Sequence, residues 1–276
     1  MTKTVLITGC SSGFGEAAAA YFADRGWNVI ATMRNPSPPL NDRLNVFVTR
    51  LDVQDPASIK AAVAEGVARF GRLDVVVNNA GYGLSGIFEG TPREKVRDQF
   101  EVNVFGVMDV IRETLPYFRK NRSGLYVNVS SGAGIFALPM ISLYNASKFA
   151  LEGFSESLSY ELAALGIGVK IVEPGGVLET KFGNRSGAEF ATTSTPSDYD
   201  GFVRGAGAVF DGLRRSGGKS TSQQVAEVIY RAATDGSNRL RYVATDDIKP
   251  YIDKRHGSSE EDYMKFMRDN LMPKLG

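Results

Sequence analysis

The run Thr4-Val5-Leu6-Ile7-Thr8-Gly9-Cys10-Ser11-Ser12-Gly13-Phe14-Gly15 decides the fold. Its first five residues are apolar or β-branched and form a strand. A glycine-rich turn follows, and Gly13 opens a helix that the pattern carries to Arg25. Gly9 permits a tight turn, Gly13 lets backbone approach a pyrophosphate, and Gly15 allows close helix–strand packing. Ser11, Ser12 and Phe14 complete the loop. The helix start then turns unpaired N–H groups toward phosphate. The glycine spacing is wider than G-x-G-x-x-G, and a Gly-rich turn can precede any helix. The strand–turn–helix context favours dinucleotide binding.

Outward from that run, apolar strands alternate with helices. The further strands expected are Asn28–Met33, Asn45–Arg50, Leu73–Asn78, Gly124–Ser130, Gly168–Glu173 and Arg241–Thr245. Most are continuous apolar runs, as in parallel strands covered on both faces. Helices are expected near Pro56–Phe70, Pro92–Lys120, Leu143–Leu165 and Ser222–Asp235. Asp55-Pro56 and Thr91-Pro92 are N-cap-then-Pro starts. The alternation predicts an α/β fold: right-handed βαβ units wound into a Rossmann-like, doubly wound parallel sheet, as one domain over 1–276. Asn35-Pro36-Ser37-Pro38-Pro39 is a rigid loop within it. Thr180–Thr221 breaks the alternation and reads as a lid after the sixth strand. The tail Asp246–Gly276 reads as a docked surface helix carrying Tyr263, Phe266, Met267 and Leu271.

Composition narrows the function. Lys plus Arg is 32 and Asp plus Glu 31, a net charge of +1. That leaves no basic excess for nucleic acid. One cysteine, Cys10, and one histidine, His256, exclude a disulfide framework and the usual zinc ligand sets. They also leave little room for a Ser-His-Asp or Cys-His hydrolase. The apolar start at Val5-Leu6-Ile7 is too short for a signal peptide. The uncharged stretch Ser123–Ser147 carries Asn128, Pro139 and Asn145, which suit a membrane helix poorly. A soluble, cytoplasmic protein with no membrane or nucleic-acid partner is expected.

Further motifs cluster after the strands. In Leu51-Asp52-Val53 the carboxylate could accept from an adenine amino group, or cap a helix, a role for which Asp55 competes. Asn78-Asn79-Ala80-Gly81 ends the fourth strand, where Asn side chains can fix a loop against a cofactor or simply close a turn. Tyr144 and Lys148 stand one helical turn apart on one face. An ammonium near a phenol lowers its pKa, so Tyr144 could act as acid or base near neutral pH. Ser131 follows the fifth strand, where ligands sit in such sheets. Asn103 interrupts a long helix in which Asn is a poor former.

Together the glycine motif, Asn78-Asn79-Ala80-Gly81, Asn103, Ser131, Tyr144 and Lys148 resemble the short-chain dehydrogenase/reductase family over roughly residues 3–180. The resemblance implies hydride transfer between a nicotinamide and a carbonyl or alcohol. Tyr144 would exchange the proton and Ser131 would hydrogen-bond the substrate oxygen. Lys148 would bind the nicotinamide ribose and depress the Tyr144 pKa, while Asn103 would hold a water connecting Lys148 to solvent. Pro174, Gly175 and Val177 match the family's Pro-Gly turn, and Thr180 stands one residue later than the family's carboxamide-binding Thr. The second strand ends Ala31-Thr32-Met33-Arg34 with no acid, and a guanidinium pairs well with a 2′-phosphate. NADP(H) is therefore favoured over NAD(H), unless Arg34 is only a solvated loop residue. The substrate is expected to be an apolar carbonyl or alcohol, met by apolar residues between Ser131 and Tyr144, by Tyr82, Leu84 and Phe88, and by Phe182, Phe190, Tyr199 and Phe202 of the lid. The family's pairing of the Leu143–Leu165 and Pro92–Lys120 helices implies a homodimer or homotetramer. A non-catalytic nucleotide sensor on the same fold would need none of the four polar residues. An isomerase or dehydratase of the extended sugar-nucleotide branch is disfavoured by the short chain and wide glycine spacing.

Overall fold

Seven strands make one parallel sheet: β1 (Thr4–Thr8), β2 (Asn28–Met33), β3 (Val46–Arg50), β4 (Val75–Asn78), β5 (Gly124–Val129), β6 (Ile167–Glu173) and β7 (Arg241–Val243). Their spatial order is β3-β2-β1-β4-β5-β6-β7, so the winding reverses between β1 and β4 and opens a crevice there. The computed structural model describes residues 2–36, 43–180, 182–191, 193–217 and 220–274. Side chains at 182, 184, 216 and 217 also lie outside that description, and with them the Phe182 side chain and the Ser37-Pro38-Pro39 part of the predicted loop.

Helices cover both faces of the sheet. α1 (Gly13–Asp24) and α8 (Ser222–Thr234) bury Ala18, Phe22, Val225 and Ile229 on one side. α2 (Pro56–Phe70), α4 (Gly106–Asn121) and α5 (Ser142–Ala163) bury Ile59, Val110 and Leu151 on the other. The central strands β1 and β4 are buried along their whole length, which is why they read as unbroken apolar runs. Asp55 caps α2 as expected, accepting from Ala57 N at 3.1 Å and Ser58 N at 3.2 Å.

The expected helix over Pro92–Lys120 is not uniform. It consists of α3 (Arg93–Phe100), a π-helical turn at Glu101–Phe105 and then α4. Asn103 sits inside the π turn. Pro92 itself occupies the N-cap, and the Thr91 hydroxyl donates instead to Ile87 O at 2.8 Å. The predicted lid is helical, with α6 (Phe182–Phe190) and α7 (Asp200–Gly217). The tail forms two helices, α9 (Lys249–Gly257) and α10 (Glu260–Leu271). They bury Ile252, Tyr263, Met267 and Leu271 against Ile135 and Phe136. Ile135 and Phe136 are thus core residues, because the tail covers them. No described helix is long and apolar enough to cross a membrane.

Candidate active site

The glycine loop is shaped by close approach. Gly9 has φ +76°, and a Cβ on Gly15 would stand 2.3 Å from Gly9 O and 2.5 Å from Asn79 Nδ2. Gly13 (φ +61°) faces Thr180, whose Cγ2 would lie 3.6 Å from an added Cβ. Ser12 holds the N-cap position of α1 without a side-chain cap, and Ser11 beside it is exposed. The first turn of α1 therefore keeps donors for an anion. Phe14 packs half-buried on the core.

The Asn79-Ala80-Gly81 loop is stitched to β1. Asn79 Nδ2 donates to Thr8 O at 2.8 Å and Gly9 O at 3.2 Å, and Thr8 Oγ1 accepts from the N–H groups of Asn79 and Ala80, each at 3.0 Å. A Cβ on Gly81 would stand 3.2 Å from Asn103 Oδ1 and 3.8 Å from Lys148 Nζ, so Gly81 fills the gap between them. Asn103 is fixed by the chain itself. It accepts from Tyr82 N at 3.1 Å and donates to Tyr82 O at 2.9 Å and Ser147 Oγ at 3.1 Å. One Oδ1 lone pair is left for a water. The π turn sets this side chain, as such turns often do at functional sites.

Tyr144 and Lys148 share a face of α5 and are both buried. Lys148 Nζ donates to Val129 O at 2.9 Å and lies 5.9 Å from the Tyr144 ring centroid. The Ser131 hydroxyl accepts from Ala133 N at 3.1 Å and bonds Tyr144. Burial pushes the Tyr144 phenol up to about 12, and Ser131 pulls it only part of the way back. The expected depression by Lys148 is thus absent in the protein alone. Desolvation outweighs an ammonium that a carbonyl already holds. Burial also brings Lys148 down to about 8, against an opposing pull from Glu152.

Arg34 follows β2, exposed, with no ion pair among the described residues. Asp52 Oδ1 accepts from Gln54 N at 3.1 Å within its own loop, and the carboxylate keeps further acceptor capacity. Val53 is buried against the start of α4, where a Cβ on Gly106 would meet its Cβ at 2.7 Å. Pro174 O accepts from Gly132 N at 2.9 Å, which ties the β6 turn to the loop after β5. Val177 is buried there, and Thr180 Oγ1 donates to Val177 O at 2.9 Å. That turn is also braced from the start of the tail. Gly175 N donates to Thr245 Oγ1 at 2.8 Å and Gly176 N to Asp247 Oδ2 at 2.9 Å. Sequence reasoning missed this brace, which spans some seventy residues and has no local signature.

It also missed Arg185. This α6 residue stacks its guanidinium 3.9 Å from the Tyr82 ring centroid. Burial lowers its pKa first, and the charge of Arg34 adds to the effect. Cys10 is buried, donates to Ile7 O, and has its thiol pushed up to about 12, far from a reactive thiolate. Among the described residues there is no cluster that could hold a metal ion.

These residues fit a nicotinamide dinucleotide: a glycine cradle that a Cβ would fill, an uncapped helix start, and an ammonium beside a phenol. Comparisons with known proteins agree. The family described as short chain dehydrogenase matches residues 3–189. The uncharacterized oxidoreductase YusZ of Bacillus subtilis is 38% identical over 90% of both chains. The 3-ketodihydrosphingosine reductase of Bacteroides thetaiotaomicron is 39% identical over 73% of this chain and 74% of its own. A short-chain dehydrogenase from Streptomyces avermitilis superposes with a TM-score of 0.78 at 32% identity, covering 98% of this chain and 97% of that one. ElxO with NADP bound gives 0.72 at 27% identity, covering 88% of this chain and 98% of that one. A Burkholderia phymatum short chain dehydrogenase/reductase in complex with NAD gives 0.77 at 25% identity, covering 99% and 98%.

Proposed function

The chain belongs to the short chain dehydrogenase family, and we propose that it is an NADP(H)-dependent oxidoreductase interconverting the carbonyl and secondary alcohol of an apolar small molecule. The observation that carries this reading is the convergence of Tyr144, Ser131, Lys148 and Asn103 at the ends of β4 and β5, three of them buried. A bound nicotinamide supplies the hydride in reduction and takes it in oxidation.

The rest falls to the chain. The hydroxyls of Tyr144 and Ser131 hold the substrate oxygen. Tyr144 gives that oxygen its proton in reduction and removes it in oxidation. A phenol that burial holds near 12 keeps its proton at neutral pH and needs a cationic neighbour to release it. Lys148 is that neighbour. Its ammonium holds the ribose and resupplies the proton, and Asn103 anchors the water that returns one to Lys148. The glycine loop and the α1 start hold the pyrophosphate.

Arg34 supports the NADP(H) choice, with no carboxylate at the end of β2 to accept a bond from a free 2′-hydroxyl. The 3-ketodihydrosphingosine reductase relative supports an apolar substrate, as do Phe88 and Leu178, exposed on loops at the strand ends. Exposed Phe105 and Phe149, on the π turn and α5, support assembly into a homodimer or homotetramer. Leu158 and Leu162 of α5 are buried in the subunit's own core and leave that surface to Phe149. Incubation with NADPH and a panel of hydrophobic ketones, aldehydes and alcohols tests the reading. Loss of nicotinamide absorbance with a ketone or aldehyde is expected. No turnover with NADPH or NADH, in either direction, would overturn it.

A further inference from the structure

Behind Lys148 the chain buries two carboxylates and one guanidinium. Glu152 follows Lys148 by one turn of α5, with its side chain 6% exposed. Glu173 ends β6, with its side chain 2% exposed. Arg241, which opens β7, reaches both. Its Nε lies 3.0 Å from Glu152 Oε2 and 3.6 Å from Glu173 Oε1, while Nη2 holds Glu156 at 2.5 Å. Two buried acids therefore share one cation that is already divided with a third. Such a group costs stability relative to apolar packing, and the proton chemistry derived above makes no use of it.

Its place explains it. A Cβ on Gly134 would touch Ser130 Oγ at 2.8 Å, Glu152 Cγ at 2.9 Å and Lys148 O at 3.2 Å, so all three pack in one corner. Val129, beside Ser130, supplies the carbonyl that takes Lys148 Nζ. On the far side a cavity of about 320 Å³, lined by Glu152, Glu156, Arg241, Arg255 and His256, connects the corner to solvent. The titratable neighbours of Lys148 on α5 are Tyr144 and Glu152, and Glu173 of β6 and Arg241 of β7 stand behind Glu152. β5, its following loop and the π turn contribute only the uncharged Ser130, Ser131 and Asn103. Arg241 repels the ammonium and Tyr144 is a neutral phenol. The carboxylate one turn away is the group that opposes the loss of hydration.

Resting on the reading of Tyr144 and Lys148 given above, we propose that Glu152, held by Arg241 and faced by Glu173, is a positioning residue that keeps Lys148 an ammonium and so sets the upper pH limit of proton transfer through Tyr144. Burial raises the Glu152 pKa, and Ser130 and Arg241 oppose that rise. Glu173, which burial pushes up to about 7, adds its own negative charge above that pH.

Glu152→Gln keeps the shape and removes the charge. The alkaline limb of kcat/KM for reduction should move down by about one pH unit. The pH at which nucleotide affinity weakens, read by fluorescence titration without turnover, should move with it. Glu173→Gln should shift both in the same direction by less, and Glu156→Gln, at the surface, should shift neither. A folded Glu152→Gln protein with wild-type pH dependence in both readouts overturns the proposal. Should that variant fail to fold, an unshifted Glu173→Gln profile overturns it instead. Absence of wild-type turnover would sink the functional reading alone, because the binding profiles would still decide the role of Glu152.

Discussion

Two sides of the crevice are built on opposite principles. At the α5 corner Tyr144, Lys148, Asn103 and Glu152 are all buried, and each is held by a partner within the chain. Across the crevice Arg34 is exposed at the end of β2, and α6 rests on the loop after β4 through Ser186 and on α3 through Glu189. Burial in low dielectric makes each charge interaction large and shifts proton affinities. Exposure leaves interactions screened and weaker than the same pairs would be when buried. On the proposed reading, groups that must change protonation are buried, and groups that only select a ligand stay wet. Substitutions on the two sides should therefore differ by orders of magnitude.

The largest effect belongs to Tyr144→Phe. The change removes one hydroxyl, which in the proposed mechanism both exchanges the proton and holds the substrate oxygen. Turnover should fall by more than the ~10²–10⁴-fold typical of one acid/base group, with nucleotide affinity nearly unchanged. Retention of more than about a tenth of the rate would break the assignment of proton transfer to the buried corner.

The buried side also carries a cost that pH should reveal. The Glu173 carboxyl, ordinarily near 4.5, is held near 7 in the folded chain, chiefly by burial. Between those values the folded protein keeps a proton that the unfolded one has released. The Glu173 contribution to stability should then be greatest below about 4.5 and decline as pH rises through 7, flattening above. The upper bound is on the order of 3 kcal/mol. Melting temperatures at pH 5.5 and 8 should show the decline in wild type and a reduced one in Glu173→Gln. Equal declines would show that Glu173 titrates normally.

What the sequence made legible follows the same division. Buried parallel strands leave unbroken apolar runs, so β1 and β2 are found at their true ends. Short-range chemistry is equally visible, in the glycine loop, in Tyr144 with Lys148, and in Asn103 as a misfit whose physical form is the π turn. What stayed hidden joins residues far apart in the chain: Arg241 with Glu152, Thr245 with Gly175, Arg185 with Tyr82. The direction of the Tyr144 shift is hidden for a related reason. One-turn spacing reveals the neighbouring charge, but no local pattern reveals how completely the tertiary structure removes water.

On the exposed side, Arg34→Ala should weaken NADPH and barely change NADH. A charge-assisted pair contributes ~1.5–3 kcal/mol, roughly ten- to hundredfold in affinity. Placing Asp at position 33 with Ala at 34 should reverse the preference, because a carboxylate repels phosphate and accepts from a hydroxyl. Fluorescence titration of both nucleotides against the three proteins checks this. Equal wild-type affinities would reduce Arg34 to a solvated surface residue and sharpen attention on Arg185 as the remaining cation nearby.

The smallest effect should come from the latch that closes α6 over the loop after β4. Lys95 of α3 pairs with Glu189 of α6, with the two side chains 31% and 18% exposed. Ser186 Oγ donates independently to Gly83 O at 2.9 Å. A partly exposed ion pair contributes ~0–1 kcal/mol, and the second contact survives its loss. Lys95→Ala should therefore raise KM for the substrate by no more than about fivefold and leave kcat unchanged. High salt should produce much of the same rise in wild type, since screening removes what the substitution removes. A loss of tenfold or more, or one that falls on kcat, would mean that α6 shapes the reacting corner itself. The division between a buried, fixed side and a wet, adjustable one would then fail at the one element that touches both.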